Sequence, residues 1–246
     1  MDKIVKWRLI CSGHLSGCIN MAIDEAMFAY NMSQDKAPTT LRLYGWNPPA
    51  ISIGYFQKTE DIKLNKKIDI VRRMTGGGAI LHDKELTFSL VAPIKNSYIP
   101  EKVSDSYNVI CQAIVNGLTF LGINAQIRGK VKNTLSKNNR PFFCFSRPSS
   151  SDIVFKGKKL VGSAQRRKNG TLMHHGSILL DDQNLSGAIS INTILKREIK
   201  FEEISNAIIQ GFEKEFSIKL VPSNLTYDET ILSRQLEKTK QLNLSL

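Results

Sequence analysis

The run Asp152-Ile153-Val154-Phe155-Lys156-Gly157-Lys158-Lys159-Leu160-Val161-Gly162-Ser163-Ala164-Gln165-Arg166-Arg167-Lys168-Asn169-Gly170-Thr171-Leu172-Met173-His174-His175-Gly176-Ser177-Ile178-Leu179-Leu180 holds three apolar-rich segments separated by turn residues. Asp152 to Phe155 and Lys159 to Arg167 flank Gly157, and Asn169-Gly170 precedes Thr171 to Leu180. Asn-Gly is the strongest short hairpin signal, because both central residues of the tight turn take positive φ. Three consecutive antiparallel strands are therefore expected, with a sheet at the centre of the fold.

Outward from this run, Ile19, Ile23, Met27 and Tyr30 recur at helical spacing, and Asp24 and Glu25 fall off that face. Leu41 to Tyr44 alternates like a strand, Asn47-Pro48-Pro49 breaks it, and Ala50 to Gly54 resumes. Ile68 to Val71 and Leu86 to Val91 read as further strands. Val103 to Leu121 carries Tyr107, Ile110, Ile114, Leu118 and Leu121 on one helical face and stops at Gly122. Lys130 to Arg140 is basic and aperiodic, a surface loop leading into Pro141-Phe142-Phe143-Cys144-Phe145. Phe201 to Phe216 is an amphipathic helix, and Tyr227 to Lys240 a charged one with Ile231, Leu232 and Leu236 inward. Strands in the middle, helices around them and no βαβ rhythm predict an α/β fold of α+β character: mixed sheets flanked by helices, not a Rossmann layout.

A chain of 246 residues, 41 % apolar, can bury the core of one domain, expected here over 1–246 with a short helical segment from about 223 to 246 and no accessory domain. Its apolar stretches fall well short of the ~20 residues a membrane span needs, and its first residues have no signal core. Cytoplasmic residence is the expectation. Cysteines at 11, 18, 111 and 144 are too dispersed for a disulfide framework and suit a reducing compartment. A net charge of +12 favours anionic partners, and between Arg128 and Lys168 twelve basic residues face only Asp152. The plainer reading of that excess is a solvated, lysine-rich surface. No aromatic-basic RNA signature or helix-turn-helix pattern is present, so neither nucleic acid nor membrane is an expected partner, and a monomer is expected.

Four features could carry chemistry. Arg72-Arg73-Met74-Thr75-Gly76-Gly77-Gly78-Ala79 sets three glycines beside two fixed charges, so main-chain N–H groups can approach a phosphate, a carbonyl or an acyl chain. It matches neither the Walker A spacing nor Gly-x-Gly-x-x-Gly, and a flexible turn is the alternative. Lys159, followed by Leu160 and Val161, is a strand lysine whose ammonium apolar neighbours could anchor, in position to hold a developing oxyanion. Cys144 lies between Phe143 and Phe145 with Arg147 near, and positive charge raises the thiolate fraction a nucleophile needs; a buried inert thiol is the competing reading, better suited to Cys18 and Cys111. His82 and His175 could carry protons near neutral pH, though a satisfied structural histidine is the commoner case. Cys11, His14 and Cys18 lack a closing ligand at a recognised zinc spacing, so no metal is expected.

Together these segments resemble the lipoate-protein ligase, octanoyltransferase and biotin ligase superfamily, and most closely its Cys-dependent octanoyltransferase branch. Arg72 to Asp83 with Glu85-Leu86-Thr87-Phe88-Ser89, Gly157 to Gln165, and His175-Gly176-Ser177-Ile178-Leu179 carry the resemblance; Arg42 to Pro48 and Ser52 to Gln57 also fit. It implies a catalytic domain of the biotin ligase and class II aminoacyl-tRNA synthetase kind. Arg72, Arg73, Thr75, Gly76, Gly77, Gly78, His82, Gly162, Ser163, Ala164, His175 and Gly176 would bind substrate. Cys144 would accept the acyl group and Lys159 would assist it. The implied reaction moves octanoyl from octanoyl-acyl carrier protein to a lysine of a lipoyl-domain protein such as glycine cleavage protein H, with no cofactor. Met74 and Met173-His174 depart from the family pattern and bear on tunnel length. The rival within the family is an ATP-dependent lipoate-protein ligase without a fused accessory domain; outside it, a catalytically silent binder of carrier protein or nucleic acid.

Overall fold

The computed structural model describes residues 4–58, 68–96, 98–131, 142–183 and 185–240. Most of the basic loop expected before Cys144, residues 132–141, lies outside the described residues, as do 241–246 of the terminal segment. The elements in chain order are β1 (Lys6–Leu15), α1 (Gly17–Ser33), β2 (Thr40–Trp46), β3 (Ala50–Ile53), β4 (Asp69–Arg72), β5 (Ile80–His82) and β6 (Glu85–Pro93). There follow α2 (Val103–Phe120), β7 (Gln126–Ile127), β8 (Ile153–Phe155), β9 (Lys158–Lys168), β10 (Thr171–Leu179), α3 (Ile191–Leu195), α4 (Phe201–Phe216), β11 (Lys219–Pro222) and α5 (Tyr227–Glu237).

The expected triplet is β8, β9 and β10, joined by two-residue turns whose central residues all take positive φ: Lys156 at 48° and Gly157 at 81°, then Asn169 at 45° and Gly170 at 73°. That geometry matches the right-handed twist of the flanking strands. These strands belong to an eight-stranded sheet of order β11-β1-β2-β6-β10-β9-β8-β7, in which β1 runs parallel to β2 and β11 and the other pairs are antiparallel. A second sheet, β4-β3-β5, is also mixed. The α/β reading with mixed sheets holds. Strands β1, β5, β7 and β11 and the short α3 are not foreseen from sequence. β5, β7 and β11 have two to four residues, too few for any period to show.

Pleating sends alternate residues to opposite faces of the large sheet. Leu41, Leu43, Phe88 and Leu90 face α2 and α4 and share one apolar core with Ile110, Ile114, Ile208 and Phe212. These two helices touch backbone to backbone: a methyl group on Gly211 would lie 2.3 Å from the Ala113 carbonyl oxygen. The opposite face, carrying Arg42, Tyr44 and Thr87, is covered by α1 and the small sheet, and the candidate site lies there.

Helix α1 is buried nearly all round, which corrects the expectation that Asp24 points away from the core. Asp24 Oδ1 meets Arg42 Nη1 at 2.8 Å, and both side chains are almost wholly buried. Helix α5 also differs from expectation: Glu229 and Ser233 are its buried residues, whereas Ile231 is exposed. Glu229 closes a capping box with Thr226 and pairs with Arg8 of β1 at 2.8 Å. Among the described residues no helix is long and apolar enough to cross a membrane.

Candidate active site

The chain leaves β4 at Arg72 and re-enters the small sheet at Ile80, and the glycine stretch is the connection between them. Gly77 sits at φ 100°, where a side chain would strain the backbone, and a methyl group there would come within 2.8 Å of the Arg73 guanidinium. That same position is 4.0 Å from Cys144 Sγ. The glycine loop and Cys144, far apart in sequence, are thus neighbours. Main-chain bonds fix the pairing: Cys144 N–H donates to the Ala79 carbonyl at 2.7 Å, and Ala79 N–H to the Phe142 carbonyl at 3.0 Å. Cys144 opens a single 3-10 turn, Cys144–Ser146, that no periodicity announces.

Cys144 lines a narrow cavity with Arg73, Gly77, His82, Gly162, Ser163, Ala164, His175 and Gly176, all expected site residues. Met21, Tyr44, Trp46, Ser52, Ile80, Thr87 and Ser177 complete it and are not foreseen. The register shows how the cavity runs. Tyr44 pairs with Thr87, Thr87 with Ser177 and Ser177 with Gly162, so one lining row crosses β2, β6, β10 and β9. Cys144 lies at the β9 end of this row, while Met21 packs with Tyr44 and Trp46 at the β2 end.

Two hydroxyls of the row, those of Thr87 and Ser177, are turned onto one buried carboxylate, while that of Tyr44 donates to Asp24 Oδ2 at 2.8 Å. Glu85 Oε1 accepts from Thr87 Oγ1 at 2.6 Å and Ser177 Oγ at 2.8 Å, and meets His82 Nδ1 at 2.8 Å. Trp46 Nε1 donates to Thr87 Oγ1 and its ring stacks on His82 at 3.8 Å, so this part of the wall spends its polar groups internally and suits an apolar guest. His82 Nε2 meets Ser52 Oγ at 2.7 Å, and Ser52 in turn accepts from Arg73 Nη1 at 3.1 Å. Burial pushes the Arg73 guanidinium down to about 10, still protonated at neutral pH.

His175 Nε2 meets Thr75 Oγ1 at 2.6 Å, and its Nδ1 faces Asp24 Oδ2 at 3.6 Å. Burial lowers the His175 pKa despite that carboxylate. Burial raises the Asp24 pKa, but the His175 bond and the Arg42 charge outweigh it and hold the carboxyl below its ordinary value.

Lys159 is buried, yet its ammonium is held by polar atoms and not by the apolar neighbours expected. Its Nζ lies 2.8 Å from Asp152 Oδ1 and 3.3 Å from each of the Cys144 and Arg147 carbonyl oxygens, with the Phe145 ring centroid at 5.2 Å. A methyl group on Gly162 would lie 2.8 Å from Lys159 Cε, so the lysine stands directly behind the cavity wall.

Besides Lys159, four expected residues do not line the cavity. Arg72 donates to the Gly54, Tyr55 and Gln57 carbonyls at 3.1, 3.1 and 2.7 Å. Gly76 lies beside Phe56; Gly78 lies against the Phe142 carbonyl and Arg147; Thr75 reaches the site only through His175. Met74 and Met173 pack against each other's cluster beside α1 and leave the cavity untouched. Of the other thiols, Cys111 is buried and burial pushes it up to about 12, in keeping with an inert role, while Cys18 is half-buried.

The family model of the lipoyl protein ligase A/B catalytic domain matches residues 17–213. An octanoyltransferase LipM of Anoxybacillus flavithermus is 39% identical over 98% of this chain and 96% of its own, and that of Bacillus subtilis is 34% identical over 95% of each. Among solved structures, a T. acidophilum protein assigned as a lipoate protein ligase superposes with a TM-score of 0.80 at 25% identity over 96% of both chains. A lipoate-protein ligase A bound with ATP gives 0.74 at 26% identity over 95% of both. The matched span takes in the glycine loop, Cys144 and the β9–β10 hairpin that together form the cavity, and the chain belongs to the lipoyl protein ligase A/B catalytic domain family.

Proposed function

We propose that this protein is an octanoyltransferase that carries the acyl group on Cys144 as a thioester, acting as one catalytic domain in the cytoplasm. The observation that supports this best is the placement of Cys144 at one end of an apolar-walled cavity, against a glycine loop with free main-chain donors. Among the described residues neither Gly77 N–H nor Gly78 N–H has an acceptor. Such donors, with the Arg73 guanidinium beside them, suit an oxyanion next to Cys144. The relatives named octanoyltransferase LipM favour the same reading.

In the proposed cycle the Cys144 sulfur attacks the thioester carbonyl of octanoyl-acyl carrier protein. The new carbon–sulfur bond forms as the bond to the carrier's thiol breaks, and that thiol leaves with the proton Cys144 gave up. The neutral amine of a lysine on a lipoyl domain then attacks the enzyme thioester, forms the amide and returns the Cys144 thiol. The thioester supplies the driving force, so no nucleotide enters. An excess of positive charge on the protein suits both partners if their docking faces are acidic.

The ligase similarity at 26% identity motivates the alternative, an ATP-dependent lipoate-protein ligase. The two separate cleanly in one assay with a lipoyl-domain acceptor. Modification with octanoyl-acyl carrier protein and no nucleotide is the expected outcome. Modification only with free lipoate, ATP and magnesium, with pyrophosphate released, would replace the proposal.

A further inference from the structure

Lys159 occupies the position where a direct charge contact with substrate is expected, and its surroundings leave it little freedom for that. An ammonium has three N–H donors. Here three oxygens are in place for them: Asp152 Oδ1 at 2.8 Å, and the carbonyls of Cys144 and Arg147 at 3.3 Å each. Those two carbonyls bracket the 3-10 turn that carries the sulfur, and Arg147 N–H also donates to the Cys144 carbonyl at 2.9 Å. The lysine therefore grips the turn at both ends from behind.

Asp152 is built to hold the lysine in that pose. Its side chain is buried, with Oδ2 accepting from Ser149 N–H at 2.8 Å and facing Arg128 Nε at 3.4 Å. Its main chain takes part too, since Arg128 N–H donates to the Asp152 carbonyl at 2.8 Å. The single acid that the sequence sets among twelve cations is thus a fixed point joining the Arg128 segment, the Ser149 turn, β8 and, through Lys159, the Cys144 turn.

From this arrangement we infer that Asp152 and Lys159 form a positioning pair: the carboxylate orients the ammonium, and the ammonium holds the Cys144 turn where the sulfur meets the cavity and the glycine loop. The oxyanion is left to the Gly77 and Gly78 N–H groups, while the Arg73 guanidinium, whose terminal N–H groups are bound to Ser52, Gly76 and Gly78 oxygens, adds its charge. This inference rests on the proposed role of Cys144, but it assigns Asp152 a part that the acyl-transfer reading does not require.

The test measures the rate of acyl-enzyme formation by quenched intact mass with octanoyl-acyl carrier protein, over a range of donor concentrations. It compares Asp152→Asn, Lys159→Met and the double variant. Misplacing a reacting group by about 1 Å costs on the order of a hundredfold. Each single variant is therefore expected to lose about that factor in maximal rate at unchanged half-saturating donor concentration. The double variant should be no slower than the slower single, as both break one tether. Asp152→Glu, which keeps the charge but shifts it by one methylene, should recover part of the rate.

If Lys159 instead acts directly on substrate and Asp152 merely parks it, freeing the lysine leaves Asp152→Asn as fast as the parent or faster, which overturns the inference. Losses that multiply in the double variant overturn it too. Should Asp152→Asn melt far below the parent, the decision passes to Asp152→Glu with Lys159→Arg: restored melting with only part of the rate recovered supports the pair, whereas full rate in both refutes it. Cys144→Ala runs alongside, and an adduct persisting there would sink the acyl-transfer reading itself and not this pairing.

Discussion

Met21 should set the length of acyl chain the protein accepts. The cavity crosses from β9 to β2, three strand spacings of ~4.8 Å, or about 14 Å between the outer backbones. An extended octanoyl chain has seven carbon–carbon bonds; at the ~1.2 Å per bond implied by an extended peptide it covers about 8 Å. The remaining length is taken by the Cys144 sulfur and by the Met21, Tyr44 and Trp46 side chains at the far end. Met21→Ala removes three heavy atoms from that end wall, room for about two methylenes. At ~0.8 kcal/mol per buried methylene, decanoyl should gain ~1.6 kcal/mol over octanoyl, a shift of about fifteenfold in their ratio. Equal amounts of octanoyl- and decanoyl-acyl carrier protein, followed by intact mass of the acyl-enzyme, read that ratio directly. Met74→Ala serves as the control, because Met74 lies outside the cavity. A ratio within twofold of the parent in a folded Met21→Ala protein would refute the reasoning.

Gly77→Ala forces a side chain onto a φ of 100° and towards the Arg73 guanidinium, so acyl-enzyme formation should fall at least tenfold. Gly157→Ala, at positive φ but in open space, should keep the rate, and equal rates for both variants would count against the glycine loop's role. Asp24→Ala leaves Arg42 buried without its carboxylate and should cost about 3–5 kcal/mol in chemical denaturation; a loss below 1 kcal/mol would show the pair to be dispensable. His174 is buried and held neutral, its pKa lowered by burial to about 3 from 6.5, and His175 is lowered in the same direction. Between these values the unfolded chain binds a proton that the folded chain refuses. Stability should therefore be complete above pH ~6.5 and fall on acidification by up to ~1.4 kcal/mol per pH unit from His174. Urea midpoints at pH 6.5 and 5.5 check this, and His174→Gln should flatten the difference; equal midpoints in the parent would contradict it.

The centre of the fold was legible because its signals are local: turn residues at positive φ between β8, β9 and β10, and apolar periods in α2 and α4 that need no knowledge of distant partners. The glycine loop and Cys144 could be named from residue type, but not their contact, which is a main-chain bridge between Ala79 and Phe143. The same limit hid Asp152, which in sequence is one acid among cations and in space is the partner of Lys159. Asp24 with Arg42 and Glu85 with Ser177 are likewise pairings across many residues, with no trace in any local pattern. Met21 and Trp46 look like ordinary core residues, and only the crossing of α1 over β2 turns them into a cavity wall. Met74 and Met173 attract notice by type, but their backbone positions send them elsewhere.

The most direct test of the account is intact mass spectrometry of the protein mixed with octanoyl-acyl carrier protein in the absence of nucleotide, with the modified peptide then mapped. One octanoyl group, released by hydroxylamine, located on Cys144 and lost in Cys144→Ala, is the predicted result. An octanoyl adduct of equal yield in Cys144→Ala, or transfer to the acceptor lysine at undiminished rate by that variant, would contradict it.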